Sequence, residues 1–315
     1  MTSKQAPLSS GFGVHSTARE VLGSRRLDGV LAIVTGGYAG VGLETTRVLS
    51  GAGATVIVPA RTPDKARAAL AGLERVELEA LDLGDPKSVD SFAARFLASQ
   101  RALPLLINNA GIMATPLTRD ARGFESQLAT NHIGHFQLTL RLWPALVQAK
   151  GARVVELTSA GHRRAGLDFD DPHFERREYD KWVAYGQSKT ANALFALELD
   201  RRGEPRGVRA FSVHPGAIAT DLMRHMPAEE REATLARFQA LMKSVEQGAA
   251  TSVWCATSPQ LAGEGGVYCE NVDIAAPVAA DSTEVNGVRP WACDPQAAEK
   301  LWALSEGWTG LKLEA

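Results

Sequence analysis

The chain is poor in the residues on which several specialised protein classes depend. Only three cysteines, Cys255, Cys269 and Cys293, occur among 315 residues. They form neither a CxxC pair nor a metal-ligand spacing, and the odd count argues for free thiols in a reducing compartment rather than a disulfide framework. An excess of charge is also missing. With 34 basic and 36 acidic residues the net charge is −2, which argues against a broad electrostatic footprint for nucleic acid. The first thirty residues lack an apolar core segment, so neither a signal peptide nor a membrane anchor is indicated, and a soluble cytoplasmic protein is expected. No repeat, low-complexity tract or dividing linker appears. His132, His135, His162 and His214 share no ligand spacing, so structural roles or solvent exposure are expected for them and no metal is called for.

What is present is 45% apolar residues, enough for a sizeable core, arranged as short runs each followed by a helix-length stretch. These runs are LAIVTG (31–36), TVIVPA (55–60), VELEALDL (76–83), LPLLINNAG (103–111), ARVVELTS (152–159), VRAFSVHPG (208–216) and GVYCE (266–270). Strands alternating with helices imply βαβ units, and nearly unbroken apolar strands imply helices on both faces. The predicted fold is therefore α/β, a three-layer, doubly wound parallel sheet of about seven strands (a Rossmann fold) in a single domain. The expected organisation is an N-terminal extension over 1–29 and a dinucleotide-binding domain over 30–275, with a substrate lid at about 217–247. A C-terminal tail and helix follow over 276–315. In the lid, Leu222, Met223, Met226, Phe238, Leu241 and Met242 are candidates to line an apolar pocket. The tail helix is predicted from Asp294 to Trp308, with Asp294 as N-cap and Pro295 in the first turn.

Ligands of such a sheet bind outside the carboxyl ends of its strands, and the informative motifs cluster there. In TGGYAGVG, Gly36, Gly40 and Gly42 take a GxxxGxG spacing between a strand and a helix opening near Val41. Glycine allows a tight turn and lets backbone N–H groups and a helix N-terminus approach a pyrophosphate. After the second strand comes Arg61, where an NAD enzyme would carry an acidic residue for the ribose 2′-hydroxyl. A guanidinium accepts a 2′-phosphate, so NADP(H) is favoured over NAD(H). Asp82 and Leu83 follow the third strand, beside the expected adenine position. Asn109, Ala110 and Gly111 close the fourth, where small residues suit close approach to the adenosine ribose.

Tyr185 and Lys189 are spaced i,i+4 on a predicted helix and so share a face. The ammonium would favour the ionised phenol, turning a sluggish proton carrier into a useful one.

In order, these motifs resemble the short-chain dehydrogenase/reductase family from Leu31 to about Glu270. They comprise GxxxGxG, NNAG, a helical Asn, a strand-end Ser, YxxxK and a PG motif. Within it, TNHIGHF (130–136), the long Ser-to-Tyr separation and HPGAIATDL (214–222) are similar to the branch of retinol dehydrogenases and WW-domain oxidoreductases. The resemblance implies that Tyr185 moves the substrate hydroxyl proton while Lys189 lowers its pKa and holds the nicotinamide ribose. Ser159 would bond the substrate oxygen, and Asn131 would link Lys189 to solvent through a water. Pro215, Gly216, Ile218 and Thr220 would cradle the nicotinamide. Tyr38 departs from the branch, where a small polar residue is commoner, and its ring would crowd or stack near the 2′-phosphate.

The function expected is NADP(H)-dependent interconversion of a lipophilic ketone or aldehyde and its alcohol. The alternative, a non-enzymatic NADP(H) sensor, is disfavoured by the presence of both Tyr185 and Lys189. An extended-fold epimerase or dehydratase would carry a GxxGxxG turn and a larger C-terminal domain. By analogy with relatives, helices over about 122–150 and 179–202 would pair between subunits in a homodimer or homotetramer.

Overall fold

The computed structural model describes residues 4–313. Eight strands form one sheet in the order β3-β2-β1-β4-β5-β6-β7-β8. They are β1 (Leu31–Val34), β2 (Thr55–Ala60), β3 (Val76–Ala80), β4 (Leu105–Asn108), β5 (Ala152–Leu157), β6 (Val208–His214), β7 (Val267–Glu270) and β8 (Asp273–Ile274). The first seven pair in parallel, as the apolar runs predict. The eighth is a two-residue antiparallel return on β7, too short to leave a sequence period. The strand order reverses between β1 and β4, the switch point outside which such sheets bind ligands.

Helices cover both faces. In chain order they are α1 (Ala18–Leu22), α2 (Gly40–Gly51), α3 (Pro63–Ala69), α4 (Pro86–Ala98), α5 (Ser126–Leu128), α6 (Gly134–Arg141), α7 (Trp143–Gln148), α8 (Lys181–Gly203), α9 (Ala228–Phe238), α10 (Val245–Gly248), α11 (Ala250–Thr257) and α12 (Pro295–Thr309). One core packs α1, α2 and α11 on the sheet through Val48, Leu49, Val253 and Trp254. The other packs α4, α6 and α8 through Phe92, Phe136 and Phe195.

Both sheet edges are closed off. β3 has no fully buried position, and its Glu77 and Glu79 pair with Arg101 and Arg95, charges that discourage edge-to-edge association. On the far side the N-terminal segment straps the β7–β8 return. Gln5 donates to the carbonyls of Tyr268 and Ala275 and accepts from Tyr268 N–H, and the Asp273 carboxylate receives Leu8 and Ser10 N–H.

The segment expected as one helix over 122–150 begins only at Ser126 and is divided at Leu142, where α6 ends and α7 starts. A π turn over Ala129–Ile133 joins α5 to α6. Where they meet, Gly134 packs so tightly on Leu83 that a Cβ would lie 3.0 Å from that side chain. The C-terminal helix carries the predicted cap, with Asp294 accepting from Gln296 N–H, Pro295 in the first turn and Gly310 closing it at φ +68°. α12 lies against α8 and the π turn. Trp302 stacks among Phe136 and Phe195, with centroids at 5.1 and 5.9 Å, and Ser305 meets His132 at 2.8 Å. The chain's own last helix thus covers the surface through which the divided segment and α8 were expected to pair between subunits.

Candidate active site

The glycine-rich turn is built as its spacing requires. Gly36 and Gly40 have φ of +65° and +49°, which only glycine adopts readily. A Cβ on Gly42 would lie 2.5 Å from Gly36 O. α2 begins at Gly40 with Ala39 as N-cap and no side-chain capping bond, so its first N–H groups face the turn unclaimed by a cap, suited to phosphate oxygens. Thr220 closes over the turn, its Cγ2 3.0 Å from where a Gly40 Cβ would stand, and Ile218 packs between Gly248 and the α2 core. Thr220 also caps the following 3-10 turn by accepting from Leu222 N–H. Gly216, at φ +105°, lies against the Lys243 chain.

One hydroxyl joins the turn to the NNAG segment. Thr35 Oγ1 accepts from Asn109 N at 2.9 Å and Ala110 N at 3.0 Å, while Asn109 Nδ2 donates to Thr35 O. With two N–H groups donating to it, the Thr35 hydroxyl gives its own proton to His135 Nε2 at 2.9 Å. His135 Nδ1 then carries the proton and donates to Asn131 O at 2.9 Å. This tautomer follows from the partners. Burial holds His135 neutral, with its pKa lowered to about 3.

Asn131 sits in the π turn, fully buried. Its Oδ1 accepts from Ile112 N, and its Nδ2 donates to Ile112 O and Ser188 Oγ. Because Asp180 caps α8 by accepting from Trp182 and Val183 N–H, the helix starts in register to put Tyr185 and Lys189 on the face toward Asn131. A Cβ on Gly111 would fall 3.2 Å from Asn131 Oδ1 and 3.7 Å from Lys189 Nζ. Ser159 follows β5 and receives Gly161 N–H at 3.0 Å. A Cβ on Gly161 would lie 2.9 Å from Tyr185 Cε1, so the tyrosine ring rests on that glycine.

The electrostatics differ from the simple i,i+4 expectation. Burial pushes the Tyr185 phenol up to about 12, opposed only by its hydrogen bond with Ser159. Lys189 Nζ lies 5.9 Å from the ring centroid and donates to Leu157 O at 2.9 Å. Burial lowers its pKa to about 8, with Glu156 opposing.

Residues 30–231 match the family described as short chain dehydrogenase. The chain belongs to the short-chain dehydrogenase family. It is similar to a Streptomyces lividans protein named "Probable oxidoreductase", 45% identical over 293 residues, covering 88% of this chain and 96% of the relative. It is also similar to human retinol dehydrogenase 12, 36% identical over 296 residues, covering 92% and 89% of the two chains. A crystal structure of an uncharacterised protein from Mycobacterium paratuberculosis superposes with a TM-score of 0.75 at 32% identity, covering 95% of this chain and all of that one. This short-chain dehydrogenase is an NAD(P)-dependent oxidoreductase of the retinol-dehydrogenase-like branch.

The short-chain dehydrogenase fold brings Asn131 and Lys189 to Gly111 and Ser159 and Tyr185 to Gly161, while Ile218 and Thr220 close on the turn of Gly36, Gly40, Val41 and Gly42. Arg61 is exposed after β2, near enough to His225, five residues past Thr220, to help burial lower that imidazole's pKa. Tyr38 packs against the α2 core. Asp82 caps its own loop by accepting Gly84 N–H, and Leu83 is buried under the π turn. Thr35 and His135 lie inside TGGYAGVG and TNHIGHF without a spacing that gives either a part in the site, and Glu156 lies in no motif. Glu156 left a trace: a carboxylate inside a strand whose neighbours are buried on both faces breaks the apolar pattern. Among the described residues, no three His, Cys, Asp or Glu side chains group as metal ligands, and no helix is long and apolar enough to cross a membrane.

Proposed function

We propose that this protein is an NADP(H)-dependent reductase of lipophilic ketones or aldehydes, working in either direction, with Tyr185, Lys189, Ser159 and Asn131 as its reacting set. The observation that carries the reading is the convergence of those four side chains, from α8, the end of β5 and the π turn, on the two glycines Gly111 and Gly161.

The turn fits a dinucleotide because it leaves the first N–H groups of α2 without a side-chain cap. Only glycine keeps its shape, since a Cβ at Gly36, Gly40 or Gly42 would run into Ala110, Thr220 or the turn itself. When bound, the nicotinamide supplies or accepts a hydride. This chain's residues do the rest. Ser159 and Tyr185 meet the charge that develops on the substrate oxygen. Tyr185 donates its phenolic proton there. Lys189, held by Leu157 O, brings positive charge beside a phenol that burial otherwise keeps protonated. Asn131 fixes the Ile112 backbone at the mouth of the site.

The preference for NADP(H) rests on Arg61, directly after Ala60 of β2, with no carboxylate in its place. The lipophilic substrate class is supported by a separate cluster in which Met223 and Met226 are buried with Ala114 against Met113, Trp182 and Leu235. Residues 217–247 form the cover of that pocket in this reading, over a dinucleotide domain spanning 30–275. The tail over 276–315 then supplies α12, whose cover over α8 favours a monomer, or a dimer through another face.

The test is oxidation of NADPH and NADH against a panel of aldehydes, ketones and quinones, beside Arg61→Asp. Turnover with NADPH that moves toward NADH in the variant supports the reading. Tight NADPH binding with no carbonyl turned over supports the sensor alternative.

A further inference from the structure

Glu156 is a buried carboxyl poor in hydrogen-bond donors, beside an Asn108 side chain that favours its ionised form. It lies on β5 at 1% exposure, and among the described residues neither of its oxygens has a hydrogen-bond partner. A charge left in that state is strongly disfavoured unless a compensating group is near.

Each element packed against it can be named. Across β4, its register partner is Asn108, whose Oδ1 also lacks a donor while its Nδ2 donates to Thr139 Oγ1. Across β6, its partner is Ser212, whose hydroxyl points to Val267 O at 3.4 Å. From α6, His135 Nδ1 is 3.7 Å from Glu156 Oε1. From α8, Lys189 binds the carbonyl of Leu157, the next residue along β5. β4 and β6 contribute only neutral groups. His135 is neutral too, since its Nδ1 proton serves Asn131 O and its Nε2 accepts from Thr35. Lys189 is therefore the cation whose charge Glu156 answers.

We propose that Glu156 is a positioning residue for the reaction, a buried carboxyl on the central strand whose charge sets the proton affinity of Lys189. The proposal rests on the reading of Tyr185 and Lys189 as the reacting pair.

Burial moves the two groups toward each other. It raises the Glu156 carboxyl well above the usual range and lowers Lys189, so they titrate as one unit. At low pH the pair holds two protons, with Glu156 neutral. When the first proton leaves, the carboxylate holds the second on Lys189. The ammonium is the form that supports Tyr185 and binds ribose hydroxyls, so Glu156 extends the working range toward alkaline pH.

The full-length protein and two variants test this. Glu156→Gln keeps the size and cannot carry charge; Glu156→Asp keeps charge at a greater distance. NADPH affinity by fluorescence titration and kcat for a carbonyl substrate are measured between about pH 6 and pH 10, the span that brackets lysine titration. The alkaline limb of both curves is expected about one pH unit lower in Glu156→Gln, with Glu156→Asp between that variant and the parent. An unmoved limb in Glu156→Gln overturns the proposal, as does an Asp limb lower than the Gln limb, which a packing defect alone would give. If Glu156→Gln does not fold, Glu156→Asp carries the test, and an unmoved limb there overturns it. The affinity curve needs no turnover, so absence of any carbonyl substrate would defeat the dehydrogenase reading while leaving this linkage measurable.

Discussion

Thr35 Oγ1 and His135 Nε2 lie 2.9 Å apart, joining the last residue before the glycine-rich turn to the helix that follows Asn131. The same hydroxyl receives two backbone N–H groups of the NNAG segment, so three parts of the site share one oxygen. Thr35→Val keeps the shape and removes that oxygen. It is expected to cost about 1–3 kcal/mol of stability, since the buried His135 Nε2 and the half-buried Ala110 N–H lose their partner. Chemical denaturation measures the loss, and NADPH affinity should fall with it.

Gly161 supports the ring of Tyr185. In Gly161→Ala the new methyl would stand 2.9 Å from Tyr185 Cε1, and the ring must shift. Misplacing a reacting group by about 1 Å can cost about a hundredfold in rate, so kcat should drop sharply with NADPH affinity little changed. Equal losses in both would mean that the turn itself had been disrupted.

α9 fully buries none of its residues, and it is attached through Leu235, half-buried against the Met223 and Met226 cluster, and through Glu230. That carboxylate takes Lys181 Nζ at 2.5 Å and Trp182 Nε1 at 3.0 Å. Because the pair is partly exposed, Glu230→Ala should change global stability by no more than about 1 kcal/mol. Its effect belongs on KM for bulky carbonyls, which should rise while kcat holds, as steady-state kinetics with a small and a large substrate would show.

How far this arrangement could be read from the chain depended on whether a feature was local. β1 to β7 were legible because each is a short apolar run bounded by turn residues, and the cap of α12 because Asp294-Pro295 is a sequential signal. β8 was not, since two residues carry no period. The π turn within the expected 122–150 helix was equally hidden, and Gly134, which follows it, packs on Leu83, about fifty residues away. In the site, Tyr185, Lys189, Gly36 and Gly42 announce themselves by spacing. Thr35 and His135 act through partners distant in sequence, and the raised pKa of Tyr185 arises from burial that no i,i+4 rule contains.

Acid should unfold the protein in a definite window. His132 and His135 are buried neutral, their pKa values lowered to about 3 by burial. The unfolded chain therefore binds more protons between about pH 6.5 and pH 3. Their contribution to stability is complete above the unfolded pKa and is lost progressively as pH falls through that window. Melting temperatures taken from pH 7 to pH 4 should decline, and His132→Gln should flatten the decline. A melting temperature independent of pH across that range would show that these rings are protonated in the native state.

The measurement that bears most directly on the proposed chemistry is kcat for carbonyl reduction by Tyr185→Phe, with NADPH binding followed on the same sample. Removing the phenolic proton should lower kcat by about a hundredfold or more while the variant stays folded and still binds NADPH. Turnover close to that of the parent protein would show that another group protonates the substrate, and would contradict the role proposed for Tyr185.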